Sequence, residues 1–205
     1  MAAEVGILIN DNININNIYH EEKVTGRMQV VRLEINDSKI ALINLYAPNT
    51  DSLNFFNTLE QTIEELSEYN LIIGGDFNVV MNFEEDKLNG RDDTNKNVSN
   101  KINQIKNMND LIDIYRNLNP YKREYTWHSN NTPPIFCRLD YFLISESIQS
   151  NMLECKIKPG YKSDHSIVIL KLNLIDCKPG PGYFKLNNSL LFDTEYKKNN
   201  LRRDK

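Results

Sequence analysis

The sequence predicts an α+β fold in which two packed β-sheets form the core and helices cover their outer faces. Strand-like runs outnumber helical ones, several are joined by short turns that favour antiparallel pairing, and two amphipathic helical segments lie between groups of strands. At 205 residues with 40% hydrophobic content, the chain is long enough for one domain with a sizeable core.

In the first half of the chain, four runs have the pattern of strands: residues 5–9, 27–35, 39–46 and 71–75. The first and the last are continuous apolar runs, which are typical of buried strands, and the middle two alternate apolar with polar side chains. The polar tripeptide at 36–38 predicts a hairpin-like turn between these middle two.

Two helices are predicted from apolar side chains that repeat at helical spacing. Thr50 or Asp51 could cap the first, whose apolar face comprises Leu53, Phe56, Leu59, Ile63 and Leu66. The second is longer, and its face comprises Val98, Ile102, Ile105, Met108, Ile112 and Tyr115.

The second half of the chain contains four shorter strand-like runs: residues 125–128, 139–144, 152–157 and 167–172. A cluster of Pro and Gly at 177–182 then marks a boundary. We therefore predict a domain over residues 1–174, followed by a linker-like tail over 175–205 in which residues 183–203 form a short helix with a basic end.

Composition and charge restrict the classes of protein to consider. The net charge is −4, and the tail carries seven Lys and Arg against four Asp and Glu, so the predicted domain is distinctly acidic. An acidic domain would repel a phosphate backbone unless metal ions and local basic patches offset its charge. No apolar run approaches the roughly 20 residues of a membrane span. The three scattered cysteines favour an intracellular location, with the nucleus or the cytoplasm as the compartment.

Acidic side chains stand at the ends of three strand-like runs. Asp76 and Asn78 follow residues 71–75 and lie two positions apart, which points both side chains to one side of the sheet edge. There they could orient a water or hold a phosphate oxygen, although an Asx turn is the other interpretation of the same pattern.

Asp140, Asp164 and His165 complete this set. If Asp140 accepts one imidazole N–H of His165, the tautomer is fixed and the other nitrogen can take a proton from water. Asp164 could supply oxygen to Mg²⁺. The alternatives are that His165 is a satisfied histidine at a strand entrance and that Asp140 is a surface residue paired with Arg138. Three such strand ends together suggest a site that cleaves phosphodiesters.

Five motifs occur in the order seen in the endonuclease/exonuclease/phosphatase superfamily: residues 44–49 (NLYAPN), 75–78 (GDFN), 125–127 (YTW), 138–141 (RLDY) and 163–165 (SDH). The chain most resembles the endonuclease domain of LINE-type (non-LTR) retrotransposon polyproteins, relatives of the apurinic/apyrimidinic endonucleases. The resemblance runs from about residue 5 to residue 174. It continues into residues 183–191, which resemble the segment that joins this endonuclease to a reverse transcriptase.

The resemblance implies a four-layer α/β sandwich with the site at one edge of two packed sheets. By this resemblance His165 is the general base and Asp140 its orienting partner, and Tyr46 contacts the phosphate. Asp76 and Asn78 handle the nucleophile, the leaving group and the transition-state charge. The implied reaction is Mg²⁺-dependent or Mn²⁺-dependent nicking of one DNA strand, which leaves a 3′-hydroxyl that primes reverse transcription.

The same resemblance implies the contacts of the site with metal and DNA. Asp164 resembles a metal ligand, and Asp76 and Asn78 are the other candidates for that role. The residues that we predict to contact DNA are Thr126, Trp127, Ser163 and Asn49. The alternative for Trp127 is a position in the core, and the alternative for Asn49 is a role in forming a turn. The partner in the parent polyprotein would be a reverse transcriptase domain.

The sequence also departs from the family. Members begin with a strand that carries an Asn and then a segment that carries the main metal-binding Glu, and no residue here matches either position. We therefore expect weakened or lost metal binding, a sandwich that is incomplete at its N-terminus, and exposed apolar strand edges. Two other functions stay open: a phosphomonoesterase or inositol-phosphate phosphatase of the same superfamily, and a non-enzymatic pseudoenzyme or remnant.

Overall fold

A computed structural model describes residues 4–10, 13, 15–35, 38–50, 52–91 and 95–173. Its main feature is a six-stranded mixed sheet in the order β1-β2-β3-β4-β9-β6. The strands of this sheet are β1 (Asn17–Val24), β2 (Met28–Ile35), β3 (Ser38–Tyr46), β4 (Asn70–Asp76), β9 (Asp140–Ser145) and β6 (Leu111–Asp113). The strands β3 and β4 are parallel, and the other pairs are antiparallel.

Two smaller sheets and four helices complete the described part of the chain. The small sheets are β10 (Met152–Lys158) with β11 (Ile167–Leu172), and β5 (Lys87–Leu88), β8 (Phe136–Cys137) and β7 (Trp127–His128). The helices are α1 (Ser52–Glu65), α2 (Phe83–Asp86), α3 (Lys96–Met108) and α4 (Ile114–Leu118), with a 3-10 turn over Glu146–Asn151.

Two apolar clusters bind these elements into layers. On one face of the large sheet, α1 and α3 bury residues such as Phe56, Ile63 and Ile102 against β2, β3 and β4. On the other face, the β10–β11 sheet and α4 pack against Ile40, Ile72 and Ile144. The result is helices on a sheet that packs on a second sheet, which is the α/β sandwich that the sequence predicted.

Most of the strands predicted from periodicity are present, with bounds that differ by one or two residues. The run at residues 5–9 is the exception. It forms no strand, Leu8 is fully exposed, and the segment is held by a hydrogen bond in which Asn44 Nδ2 donates to Gly6 O at 2.9 Å. No described strand pairs with this run, and an apolar run needs such a partner to bury its side chains. The strand β1 was missed by the sequence pattern.

The long second helix predicted from the sequence is also corrected. The helix α3 ends at Met108, and Asp110 then adopts a φ of 48°. Ile112 lies in β6 and Tyr115 in α4, so the repeat of apolar residues belongs to three elements rather than one. The left-handed backbone at Asp110 turns the chain back into the sheet, which a continuous helix would not allow.

An apolar groove of about 360 Å³ separates the large sheet from β11. Leu42, Ile72, Phe142 and Val168 line it, and one end reaches Asp140. Among the described residues, β11 pairs with β10 alone. The four side chains are buried or half-buried, so the expectation of exposed apolar strand edges stays a prediction. The predicted tail at 175–205 lies outside the described residues, and within the described ones no helix is long and apolar enough to span a membrane.

Candidate active site

The site lies at the edge of the large sheet where β3 and β4 end and β9 begins. Because β3 and β4 are parallel, Tyr46 and Asp76 are register partners at their carboxyl ends. The strand β9 runs antiparallel to β4, and this pairing puts Asp140 opposite Asp76. Three predicted site residues therefore occupy neighbouring positions on adjacent strands.

Gly75 explains how closely these strands approach. Its φ is 135°, and a Cβ there would lie 1.9 Å from the carbonyl oxygen of Leu45. Only glycine adopts this backbone without strain and without a clash. The Gly-Gly-Asp sequence therefore carries a signal that the sequence analysis missed: Gly75 is needed for the strand contact that places Asp76 beside Tyr46.

His165 is held between two carboxylates. Its Nδ1 lies 2.9 Å from Asp140 Oδ2, and its Nε2 lies 4.0 Å from Asp76 Oδ2. Because Asp140 can only accept when ionised, Nδ1 carries the proton, and Nε2 faces Asp76 with its lone pair when the ring is neutral. The hydrogen bond to Asp140 raises the pKa of His165 above its ordinary 6.5.

Asp76 has an unusual ionisation. Burial raises the pKa of its carboxyl from 3.8 to about 6, and repulsion by Asp140 adds to this shift. The backbone N–H of Asn78 donates to Asp76 Oδ1 at 2.8 Å and opposes the shift. A half-buried carboxyl with a pKa near neutrality, beside an imidazole, is a pair suited to moving protons.

Asn78 adopts a left-handed backbone with a φ of 50°, which Asn tolerates better than most residues. Its Nδ2 donates to Ala47 O at 2.6 Å, which leaves the side-chain oxygen to accept a bond or bind a cation. The backbone N–H of Asn78 also donates to Asp76, which forms an Asx turn. The same turn therefore holds both side chains at the site. The Asx-turn interpretation of the Asp-x-Asn pattern is therefore correct, and the role of the pair toward water or phosphate stays a prediction.

Thr126 is fully buried, so its side chain is not open to solvent in this structure, and its predicted contact with DNA stays a prediction. Its hydroxyl oxygen accepts from the backbone N–H groups of Leu139 at 2.9 Å and Asp140 at 3.0 Å. Its carbonyl accepts from the N–H of Ser166 at 2.7 Å. Thr126 thus fastens the strand that carries Asp140 to the segment that carries His165.

The loop before β11 is tied to β7. The indole Nε1 of Trp127 donates to Asp164 Oδ2 at 3.0 Å, and the Ser163 hydroxyl accepts from the His165 N–H at 3.0 Å. Asp164, Ser163 and Asn49 are exposed, and Trp127 is half-buried. These four positions are open to solvent, and their predicted contacts with metal or DNA stay predictions.

Behind the site lies a buried ionic cluster that the sequence analysis did not find. The guanidinium of Arg138 is 1% exposed and bonds both carboxylate oxygens of Asp86, at 2.8 and 3.1 Å, and both of Asp113, at 2.7 and 3.1 Å. Arg116 adds a bond to Asp86 at 2.7 Å. Arg138 therefore turns into the core and is not the partner of Asp140, which bonds His165 instead.

One group of described residues has the donors for a metal ion. Ligand atoms of Asp76, Asp140 and His165 all lie within 4.8 Å of one another. Asp140 is engaged by the imidazole, so Asp76, with the free side-chain oxygen of Asn78, is the more available donor. Mg²⁺ commonly takes one or two carboxylates and keeps several waters, and this donor set fits that preference. Asp164 is not in this group, and one of its carboxylate oxygens already accepts a hydrogen bond from the indole of Trp127.

Comparison with known proteins agrees with this geometry. The model of the family described as "Endonuclease-reverse transcriptase" matches residues 40–169, which include Tyr46, Asp76, Asp140 and His165. A relative, the "Transposon TX1 uncharacterized 149 kDa protein" of Xenopus laevis, is 28% identical over 179 residues. The match covers 85% of this chain and 14% of the relative, so the chain spans about a seventh of that protein.

Solved structures share the fold. The AP endonuclease LMAP of Leishmania major has a TM-score of 0.60 and 21% identity, with 71% of this chain and 54% of that chain covered. An AP endonuclease of Archaeoglobus fulgidus has a TM-score of 0.63 and 16% identity, with 78% of this chain and 72% of that chain covered. The chain belongs to the endonuclease–reverse transcriptase family and has the α/β sandwich fold of the endonuclease/exonuclease/phosphatase superfamily.

Proposed function

We propose that this chain is a metal-dependent DNA endonuclease domain of retrotransposon origin that hydrolyses one phosphodiester bond in a DNA strand. The observation that carries the proposal is the row of Asp140, His165 and Asp76, in which one imidazole nitrogen is bonded to a carboxylate and the other faces a second carboxylate. The family match and the transposon relative support the same reaction class.

In this proposal His165 acts as the general base. Asp140 holds the Nδ1 proton and favours the imidazolium that forms when Nε2 takes a proton from the attacking water. Asp76 faces Nε2 and stabilises the same charged state. The water would bridge Nε2 and Asp76 from one side, within hydrogen-bond distance of both, because the two are 4.0 Å apart and do not form a direct hydrogen bond.

Tyr46, Asp76 and Asn78 would bind the phosphate side of the reaction. Tyr46 is exposed at the end of β3, with the guanidinium of Arg27 5.2 Å from the centre of its ring. This basic group over the phenol ring would offset the acidity of the site toward a phosphate. Asp76 and Asn78 would hold Mg²⁺ or Mn²⁺, with Asp164 as a further candidate ligand, and the cation would offset charge that builds on the phosphate.

The proposal also covers the substrate, the partner and the compartment. We propose DNA as the substrate, a reverse transcriptase domain as the partner within a longer polyprotein, and an intracellular site of action, in the nucleus or the cytoplasm. The one group of described residues that could hold a metal offers two carboxylates and an imidazole, and we propose that it binds the metal weakly, on the order of millimolar, with slow turnover. A pseudoenzyme would bind no metal at these concentrations, and a phosphatase would release phosphate from small monoesters.

The first experiment is nicking of supercoiled plasmid by purified protein with Mg²⁺ or Mn²⁺, beside EDTA. We expect slow, metal-dependent nicking that His165→Ala abolishes. The matched control is His20→Ala, because His20 is an exposed residue on β1, an edge strand of the large sheet that pairs with none of β3, β4 and β9. Equal nicking by wild type and His165→Ala would indicate a contaminating nuclease and contradict the proposal.

Metal binding can be measured without activity. Paramagnetic Mn²⁺ should broaden the ring resonances of His165 at lower concentrations than those of His20, and EDTA should restore them. Asp76→Asn should weaken this effect if Asp76 is a ligand. No selective broadening at any concentration up to about 10 mM would favour the non-enzymatic alternative.

A further inference from the structure

The hydroxyl of Tyr141 lies in the core directly behind the site. Tyr141 is 1% exposed, and burial raises the pKa of its hydroxyl well above the ordinary value, so the group stays a proton donor. The oxygen lies 2.6 Å from Arg138 O and 2.9 Å from Val79 O, and it accepts from the Met81 N–H at 3.2 Å. Three backbone groups therefore converge on one side-chain oxygen.

These backbone groups belong to the two segments that carry the catalytic carboxylates. Val79 and Met81 follow Asp76 and Asn78 directly in the chain, and Arg138 precedes Asp140 by two residues. The β4–β9 ladder ends at the pair of Asp76 and Asp140. Beyond that pair the Phe77 N–H donates to Leu139 O at 2.8 Å, and the Tyr141 hydroxyl adds a second link between the segments, at Val79 and Arg138.

The ring of Tyr141 is itself fixed. Phe77 packs edge-on against it with ring centres 5.4 Å apart, and the guanidinium of Arg138 lies 4.3 Å from its centre. Arg138 is held in turn by Asp86 and Asp113. The position of the hydroxyl is thus set by the packed core and not by the exposed site.

We propose that Tyr141 is a positioning residue of the active site, whose buried hydroxyl sets the place of the Asp76–Asn78 turn relative to the Asp140–His165 pair. The inference rests on the proposed nuclease function for its kinetic consequence. Without the hydroxyl, the turn after β4 keeps the Phe77–Leu139 backbone hydrogen bond, but residues 79–81 lose their link to the segment before β9. Misplacement of catalytic groups by a fraction of an ångström lowers turnover more than substrate affinity.

Tyr115 supplies a matched control. It is also 1% exposed, and the guanidinium of Arg138 also lies over its ring, at 5.5 Å. Its hydroxyl donates instead to Glu124 Oε2 at 2.7 Å, on a segment that carries no catalytic carboxylate. Tyr115→Phe therefore removes a buried hydroxyl beside the same arginine without loosening the Asp76–Asn78 turn.

The test compares Tyr141→Phe with Tyr115→Phe in three measurements: thermal unfolding, nicking kinetics and the ring resonances of His165. We expect similar small changes in Tm for both. Tyr141→Phe should lower kcat about tenfold with KM unchanged, and should shift the His165 resonances. Tyr115→Phe should leave kcat and those resonances as in the wild type. Equal kcat and equal His165 resonances in the two variants would overturn the proposal.

Two further readouts keep the test decisive. If the wild type does not nick, the proposed function fails, and the His165 resonances alone then test Tyr141. If Tyr141→Phe does not fold, the hydroxyl proton of Tyr141 can still be measured in the wild type. A hydroxyl held between two carbonyls in the core exchanges slowly with water, so its proton should be visible by NMR with contacts to Val79 and Arg138. A rapidly exchanging hydroxyl would contradict the proposal.

Discussion

Asp140 and His165 are 25 residues apart in sequence, yet Asp140 Oδ2 lies 2.9 Å from His165 Nδ1, and this contact fixes which imidazole nitrogen can act as a base. Asp140 is in turn fixed by its backbone N–H, which donates to the buried Thr126 hydroxyl. The proton-accepting Nε2 therefore has an orientation that is set through three side chains from different parts of the chain.

Asp140→Asn should lower both the pKa of His165 and the rate of nicking. The neutral amide removes the charge that stabilises the imidazolium and that holds the Nδ1 proton, so we expect a loss of about 10²-fold or more in kcat. Titration of the His165 ring by NMR checks the direction of the pKa change, and His20 in the same spectrum is an internal control. An unchanged His165 pKa would contradict the assigned hydrogen bond.

The nicking rate should rise with pH through the region where His165 loses its proton. The neutral imidazole is the active base, and its pKa lies above 6.5, so the rate should still be rising above pH 6.5. Asp76, with a pKa of about 6, ionises over the lower part of the same range. Single-turnover rates from pH 5 to 9 measure this profile, and a rate independent of pH would exclude His165 as the base.

Asp76→Asn should stabilise the protein at pH 8 while abolishing nicking. The folded-state pKa of about 6 exceeds the ordinary 3.8, so the folded protein binds this proton more tightly, and Asp76 destabilises the fold progressively as the pH rises through about 4 to 6. The shift corresponds to about 3 kcal/mol in the free energy of unfolding above pH 6. Urea unfolding at pH 8 and at pH 4 measures it, and the gain should nearly vanish at pH 4. A destabilised variant at pH 8 would show that burial of the charge is not the dominant effect.

Thr126→Val should destabilise the protein, and Thr126→Ser should restore most of the loss. Valine leaves the N–H groups of Leu139 and Asp140 without their acceptor, which we expect to cost about 2 kcal/mol in unfolding free energy. Because Thr126 is buried, the affinity for DNA should not change in the serine variant. Weaker DNA binding by Thr126→Ser with unchanged stability would support the predicted contact of Thr126 with DNA.

Arg138→Met should be among the most damaging changes in the chain. It leaves Asp86 and Asp113 buried without their main cation, and loss of one partner of a buried ion cluster costs about 3–5 kcal/mol. Lys39→Met is the control, since its pair with Glu68 is exposed and contributes little to stability. Chemical denaturation of both variants tests this, and comparable small losses would show that Arg138 is dispensable for the fold.

Periodicity predicted the strands and helices well where each element follows its own pattern. The alternation at 27–46 gave the hairpin β2–β3, and the apolar face of α1 gave that helix with nearly the observed bounds. Periodicity predicted the wrong element where contacts with distant segments decide the local structure. Residues 5–9 have the composition of a buried strand but no described strand to pair with, and residues 96–118 keep a helical repeat across a turn at Asp110.

The sequence by itself determined the family, the sandwich fold and the identity of the chemical groups, because ordered motifs such as Asp76-x-Asn78 and Asp164-His165 are local patterns. The tertiary structure decided which groups meet. It paired Asp140 with His165 rather than with Arg138, and it buried Thr126 and Tyr141 behind the site. Hydrogen-bond partners and burial depend on strand register and on packing between distant segments, and no local pattern encodes those distances.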